Sequence, residues 1–306
     1  VLEYSGTTFF DGWNFYNNVD NTTWGNVTYL SRSDAEGMGL IDTNDAGNAI
    51  IRVDNSTYIP TYDFHNRDSV RITSQVQYDV GSLVIMDAVH LPYGCSVWPS
   101  FWTLGEGVWP AGGEIDIVEG VNMQLVNQMA LHTTDGCFQA PNNGQSGETI
   151  YTNCSTASGC TVQETKVNSY QSGFAEAGGG AFAMQFDVSG IYIWFWSRPD
   201  VPASVNVSND VATLNISDWG APSAAYPASE CNISHFFTPQ RLILDITLCG
   251  IWAGIPSVYD ATCESTNGCV QDNIVGAGNP TYDNAYFEIS WIRAYTVIAL
   301  SSTSTS

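Results

Sequence analysis

Apolar positions come in short runs rich in Val, Ile, Tyr, Phe and Trp, separated by clusters of Gly, Asn, Asp and Pro, and helical periodicity is nearly absent. Strands and turns produce that rhythm. It predicts strands over 49–53, 70–78, 83–89, 98–104, 126–132, 182–188, 192–196, 242–248 and 287–297. In two of them the faces are plain. Val70, Ile72, Val76 and Tyr78 alternate with Arg71, Thr73, Gln75 and Gln77, and Phe287 and Ile289 alternate with Glu288 and Ser290 in the run that ends at Arg293. Each should bury one face and leave the other for water or a ligand. No 20–50-residue period marks a repeat array, and no Pro- or Ser-rich linker precedes the Ser/Thr-only end. Strands spread this evenly can share one core, so the expected architecture is all-β, one sandwich of two antiparallel sheets over 1–298. Residues 299–306 read as a Ser/Thr-rich tail, either a frayed end or the start of an O-glycosylated linker.

Composition narrows the partners. Only 13% of the 306 residues are charged, against roughly 25% in an average soluble protein, while aromatics reach 12% with ten Trp and fifteen Tyr. The basic residues are Lys166 and seven arginines, set against 31 acids for a net charge of −23. Such a field repels phosphate backbones and anionic lipid. Nucleic acid is therefore not the expected partner, and a neutral, hydroxyl-rich molecule that stacks on aromatic faces is. No run approaches the roughly 18 apolar residues that span a bilayer, so membrane insertion is not expected, and the chain should act as a monomer.

The eight cysteines are even in number and show no zinc-type spacing, which reads as a disulfide framework. Eight cysteines allow 105 pairings; Cys154 with Cys160 and Cys263 with Cys269 would close short loops. Seven Asn-x-Ser/Thr sequons, at Asn21, Asn26, Asn55, Asn153, Asn206, Asn215 and Asn232, point with the cysteines to the secretory route. A start at Val1, with neither Met nor an apolar leader, looks like a mature, signal-cleaved chain. Secretion to the cell exterior or wall, with N-glycosylation, is the expectation.

The chemistry concentrates in Gly112-Gly113-Glu114-Ile115-Asp116-Ile117-Val118-Glu119-Gly120. Acids are depleted in strands and like charges on one sheet face repel, so three in six residues carry a stability cost. Glu114 and Asp116 share a face, but Glu119 would point the opposite way under strict alternation. One bulge around Ile117 and Val118 restores all three to the same face, with Ile115 and one or both of Ile117 and Val118 turned to the core. Paired carboxyls about 5 to 5.5 Å apart serve retaining glycoside hydrolysis, one as nucleophile and the other as acid and then base. Asp116 between them can orient the nucleophile and help keep the acid protonated. A solvated acidic edge strand or a cation site is the blander alternative.

Aromatic neighbours favour a sugar. Trp98, Trp102 and Trp109 all precede Glu114 closely, Trp98 and Trp102 on one strand face; aromatic faces stack on the apolar faces of sugar rings, though each could equally be core. Trp194 and Trp196 share a face in a densely apolar strand and read as core. Trp252, in the loop Gly250-Ile251-Trp252-Ala253-Gly254, is a candidate cleft wall. His132, ending Met129-Ala130-Leu131-His132, could hydrogen-bond a catalytic carboxyl or a sugar hydroxyl, or be merely structural. Arg71 is either a hydroxyl donor in the cleft or an ion-pair partner.

At these residues the sequence resembles glycoside hydrolase family 16, and within it the secreted fungal laminarinases, from Phe9-Phe10-Asp11-Gly12-Trp13 through Trp98-Pro99-Ser100-Phe101-Trp102 and the acidic strand to Trp252. The motif EIDIVE, with its extra residue, is of the laminarinase type. The resemblance implies a jelly-roll sandwich with a concave substrate cleft, a β-glucan polysaccharide as substrate, Glu114 as nucleophile, Glu119 as acid/base and Asp116 as helper. Leu131-His132-Thr133 is similar to a family segment beside the catalytic strand, which favours a functional His132. No cofactor is required; some members hold a structural calcium on the convex side, for which no ligand cluster can be assigned here. The leading expectation is a retaining endo-β-1,3(4)-glucanase. A transglycosylase sharing the same intermediate is second, and a noncatalytic glucan-binding lectin third, disfavoured because all three carboxylates are present.

Overall fold

The computed structural model describes residues 1–61, 66–140, 143–206 and 214–296. Two eight-stranded antiparallel sheets face each other across one core, with two small two-stranded pairs beside them. Among the described residues the helices are single turns or little more. Alternation explains the layering. In Arg241–Leu248, Leu242, Leu244, Ile246 and Leu248 enter the core while Ile243, Asp245 and Thr247 take the other face. In Val97–Leu104, Val97 and Phe101 point inward and Trp98, Ser100 and Trp102 share the outward face with Asp245 and Thr247.

The first sheet contains Gly180–Asp187, Gly190–Ser197, Ser82–His90 and Tyr286–Thr296. Phe182, Met184, Phe186, Ile191, Ile193 and Phe195 fill the common core. Trp194 and Trp196 are buried as expected, but in a second cluster on this sheet's outer face, where Trp219 packs edge-on to both. That double burial is why the strand reads as continuously apolar.

The second sheet carries the chemistry. Its order places Glu114–Glu119 between Val97–Leu104 and Gln128–His132, followed by Arg241–Leu248, Arg71–Ser74 and Trp13–Phe15 beyond Val97–Leu104.

Several expectations need correction. The strand expected over 70–78 is continuous only over Arg71–Ser74, because Gln75 turns away to bond the Gly12 carbonyl and Val76 is exposed, and Tyr78 rejoins by a bridge to Gln240. In Tyr286–Thr296 a register shift opposite Ser82–His90 breaks the alternation between Ile289 and Trp291. Trp291 therefore lies on the outer face, with Arg293 4.0 Å over its ring. Cys154 does pair with Cys160, but Cys263 bonds Cys95 and Cys269 bonds Cys249. Cys95–Cys263 ties the segment after Arg241–Leu248 to a distant element, while Cys249–Cys269 closes a loop within that segment. The fourth disulfide is Cys137–Cys231, and no cysteine is free. No helix among the described residues is long and apolar enough to cross a membrane. The tail expected over 299–306 lies outside the described residues.

Candidate active site

The acidic strand owes its geometry to a bulge. Trp102 stands opposite Asp116 while Phe101 stands opposite Val118, so Ile117 is the extra residue. On the other side the register with Gln128–His132 shifts between Asp116 and Glu119. Glu114, Asp116 and Glu119 then share one face, and Ile115, Ile117 and Val118 are fully buried behind it. A bulge frees backbone groups that a ladder would pair. Here the Asn127 carboxamide takes both: Glu119 N donates to its Oδ1 at 3.0 Å, and its Nδ2 donates to Ile117 O at 2.9 Å. Asn127 is fully buried, and its own N–H donates to Ser169 Oγ.

Each glutamate meets one indole. Trp109 Nε1 donates to Glu114 Oε2 at 2.8 Å, and Trp98 Nε1 donates to Glu119 Oε1 at 3.0 Å. His132 stands opposite Glu114 in register, its Nε2 3.4 Å from Asp116 Oδ2 and 3.9 Å from Glu114 Oε1. Its ring lies against Trp109. Gly159 makes that placement possible, since a Cβ there would come within 2.9 Å of the imidazole and 2.5 Å of Leu131 O.

Burial shapes the protonation. It lifts Glu119 to about 8, aided by the charge of Asp116 and opposed by the Trp98 indole. It lifts Asp116 to about 8, against a side-chain hydrogen bond with Glu114. Glu114 is also pushed up, first by burial and then by Asp116, with His132 and Trp109 opposing. Three carboxyls in one patch cannot all ionise near neutrality.

The remaining candidates fall on or beside the same sheet. Trp102 is nearly buried, donating to Asp245 Oδ1 at 2.7 Å. Arg71 lies between the rings of Tyr16 and Trp102 at 5.0 and 5.1 Å and donates to Thr22 Oγ1. Its charge also acts on Asp245, opposing the burial that lifts this carboxyl to about 6. Trp252 stands in a helical turn, Gly250–Ala253, rather than a loop, with its ring edge-on to Trp98 at 5.4 Å. Trp109 is half exposed, the most open of the four tryptophans. Sequence reasoning missed Asn127 and Asp245. Asp245 had a signal, a lone acid within an apolar strand; Asn127 had none.

Donor atoms of Glu114, Asp116 and His132 lie within 4.8 Å of one another, close enough to hold a cation. Among the described residues no other His, Cys or carboxylate trio converges in this way, so no separate calcium site is assigned.

Two glutamates on one sheet face, each met by an indole N–H and separated by a third carboxyl, are an arrangement suited to cleaving a carbohydrate on a β-sandwich. The XgeA-like, catalytic GH16 domain matches residues 13–295, and the chain belongs to glycoside hydrolase family 16. A probable glycosidase of Schizosaccharomyces pombe is 39% identical, covering 96% of this chain and 68% of that protein. Endo-1,3(4)-beta-glucanase xgeA of Emericella nidulans is 38% identical over 95% of this chain, which spans only 46% of its length. Laminarinase 16A of Phanerochaete chrysosporium, solved with two β-glucans in its donor and acceptor sites, superposes with a TM-score of 0.87 at 33% identity, covering 97% of this chain and 98% of that one. An elongating family 16 β-1,3-glucosyltransferase also gives 0.87, at 37% identity and with 97% and 99% covered.

Proposed function

We propose that this domain is a retaining endo-β-1,3(4)-glucanase, hydrolysing β-1,3- and mixed β-1,3/1,4-glucan by double displacement. The observation that carries the reading is the bulged acidic strand, with Glu114 and Glu119 on one face and an indole N–H on each. Glu114 is the nucleophile. It reacts as the carboxylate, the form that His132 and the Trp109 N–H favour against the burial and the Asp116 charge that push it up. Glu119, held up to about 8, is protonated at neutral pH and donates to the leaving glycosidic oxygen as Glu114 bonds the anomeric carbon. It then takes a proton from the water that releases the sugar. His132 positions Asp116 and Glu114, and Trp98, Trp102, Trp109, Trp252 and Arg71 line the glucan path. Endo specificity is supported by the xgeA and laminarinase 16A similarities. The paired cysteines and seven sequons support a secreted, N-glycosylated enzyme acting outside the cell or at the wall.

The test is a time course of product sizes from laminarin and barley mixed-linkage glucan, with the anomer of the first product followed by NMR. Internal cleavage with β-products is expected, and Glu114→Ser should bind glucan without cutting it. Comparable turnover by that variant, or α-products, would sink the assignment. Similarity to the elongating glucosyltransferase favours a second reading, transfer to a sugar acceptor from the same intermediate; products longer than the starting oligosaccharide would establish it.

A further inference from the structure

Trp24 is 69% exposed and holds a left-handed backbone, φ +55°, a conformation that costs a bulky residue free energy unless its surroundings impose it. They do. The Asp20 carboxylate accepts from the N–H groups of Thr22, Thr23 and Gly25 and from the Thr247 hydroxyl. The loop is also stitched to the end of Arg241–Leu248, through Asn26 N to Leu248 O and Ile251 N to Thr23 O. The indole is thus held out into solvent by a rigid turn. Beside it lies a groove of about 450 Å³ lined by Trp24, Asn26, Ile251, Asn267, Gln271 and the Cys249–Cys269 bridge. Ile251 is also exposed, so the groove offers two apolar faces and three carboxamides, that of Asn26 among them.

Asn26 begins the sequon Asn26-Val27-Thr28. Elsewhere the described sequon asparagines are engaged or lack such a neighbour: Asn55 donates to Asp283, Asn21 accepts from Tyr16, and Asn153 and Asn215 accept from the residues that follow them. Among the described hydrogen bonds none involves the Asn26 side chain. We infer that Asn26 carries an N-linked glycan whose first N-acetylglucosamine lies in this groove against Trp24, its acetamido and hydroxyl groups within reach of Asn267 and Gln271. An aromatic face and the apolar face of a pyranose complement each other, and the covalent link removes the entropy of bringing them together. The glycan would fix the turn whose inner side, Thr22, receives the hydrogen bond from Arg71.

This inference rests on the secretory reading, and the experiment separates their failures. The full chain is secreted from yeast, all seven sequons are mapped by glycopeptide mass spectrometry, and the folded protein is digested with endoglycosidase H over time. Asn26 should be occupied, and its glycan released at least tenfold more slowly than those at Asn215 or Asn232. Trp24→Ala, at an exposed position that does not threaten folding, should abolish that protection, and Trp24→Phe should retain most of it. No glycan at any sequon would overturn the secretory reading as well; Asn26 bare while others are occupied would overturn this inference alone. Equal release from wild type and Trp24→Ala, with weaker laminarin binding in the variant, would overturn it and assign Trp24 to the substrate path.

Discussion

Asn127→Ala is the perturbation that most directly tests whether the bulge makes the site. The carboxamide closes two backbone groups, Glu119 N and Ile117 O, with Asn127 and Ile117 themselves fully buried. An orphaned buried group costs about 1–3 kcal/mol, so the folded domain should lose about 2–6 kcal/mol unless water enters. The catalytic effect has a different signature. Glu119 loses the anchor of its own N–H and with it the position from which, as the proposed acid, it protonates the leaving oxygen. A positioned general acid is worth about 10²–10⁴-fold, and kcat/KM on laminarin should fall by about 100-fold. kcat/KM on a 2,4-dinitrophenyl β-laminaribioside, whose leaving group departs without a proton, should fall less than about fivefold.

Asn127→Asp sharpens the test. Its carboxylate can accept from Glu119 N but cannot donate to Ile117 O, and it places a negative charge beside Glu119. That charge raises the Glu119 pKa, so the alkaline limb of kcat/KM should move to higher pH, an effect that loosened packing alone would not cause. Equal losses on both substrates, with no movement of the limb, would refute the positioning argument and leave Asn127 as a structural residue only.

Other consequences can be checked with fewer variants. Asp116 and Glu119 bind protons more tightly folded than unfolded, both being held up to about 8, so their contribution to stability is complete below their ordinary values near 4 and is lost as pH rises toward 8. A tenfold tighter proton is worth about 1.4 kcal/mol, and calorimetry should show Tm falling by several degrees from pH 5 to pH 8 and falling less in Glu119→Gln; a flat Tm would contradict the burial argument. Trp98→Phe removes the N–H that favours ionised Glu119, so the alkaline limb of kcat/KM should shift upward, and a downward shift would be incompatible with that bond. Cys137–Cys231 spans 94 residues and Cys154–Cys160 only 6, so chain entropy predicts that removing the first by paired Ser substitutions destabilises by about 2 kcal/mol more than removing the second, measurable by denaturant unfolding.

Much of this was legible because the sequence breaks local rules where function lies. Three acids in a β-branched run are costly, and only a bulge gives them one face; the register has that bulge at Ile117. Trp98 and Trp102, four apart, do share a face. What was hidden depends on contacts between distant segments. Asn127 looks like any asparagine until the bulge supplies two backbone groups for it to close. Trp291 leaves the core side because of a register shift against Ser82–His90, which alternation alone cannot foretell. Cys263 and Cys269 lie close in sequence, yet each finds a partner the fold brings from elsewhere.

Tryptophan as the partner of each glutamate fits what the two proposed steps would require. A guanidinium against Glu119 would favour its ionised form strongly, and Asp or Glu beside Arg typically falls by one to three pKa units. The acid would then enter the first step already ionised. A neutral indole N–H fixes the carboxyl in place while lowering its pKa only modestly, leaving burial and Asp116 to hold it up. The guanidinium on this face, Arg71, is instead paired through space with Asp245, one strand beyond Val97–Leu104 from the acidic strand and held between Tyr16 and Trp102. Under the proposed roles, that arrangement keeps the guanidinium away from Glu119, so the acid stays protonated for the first step.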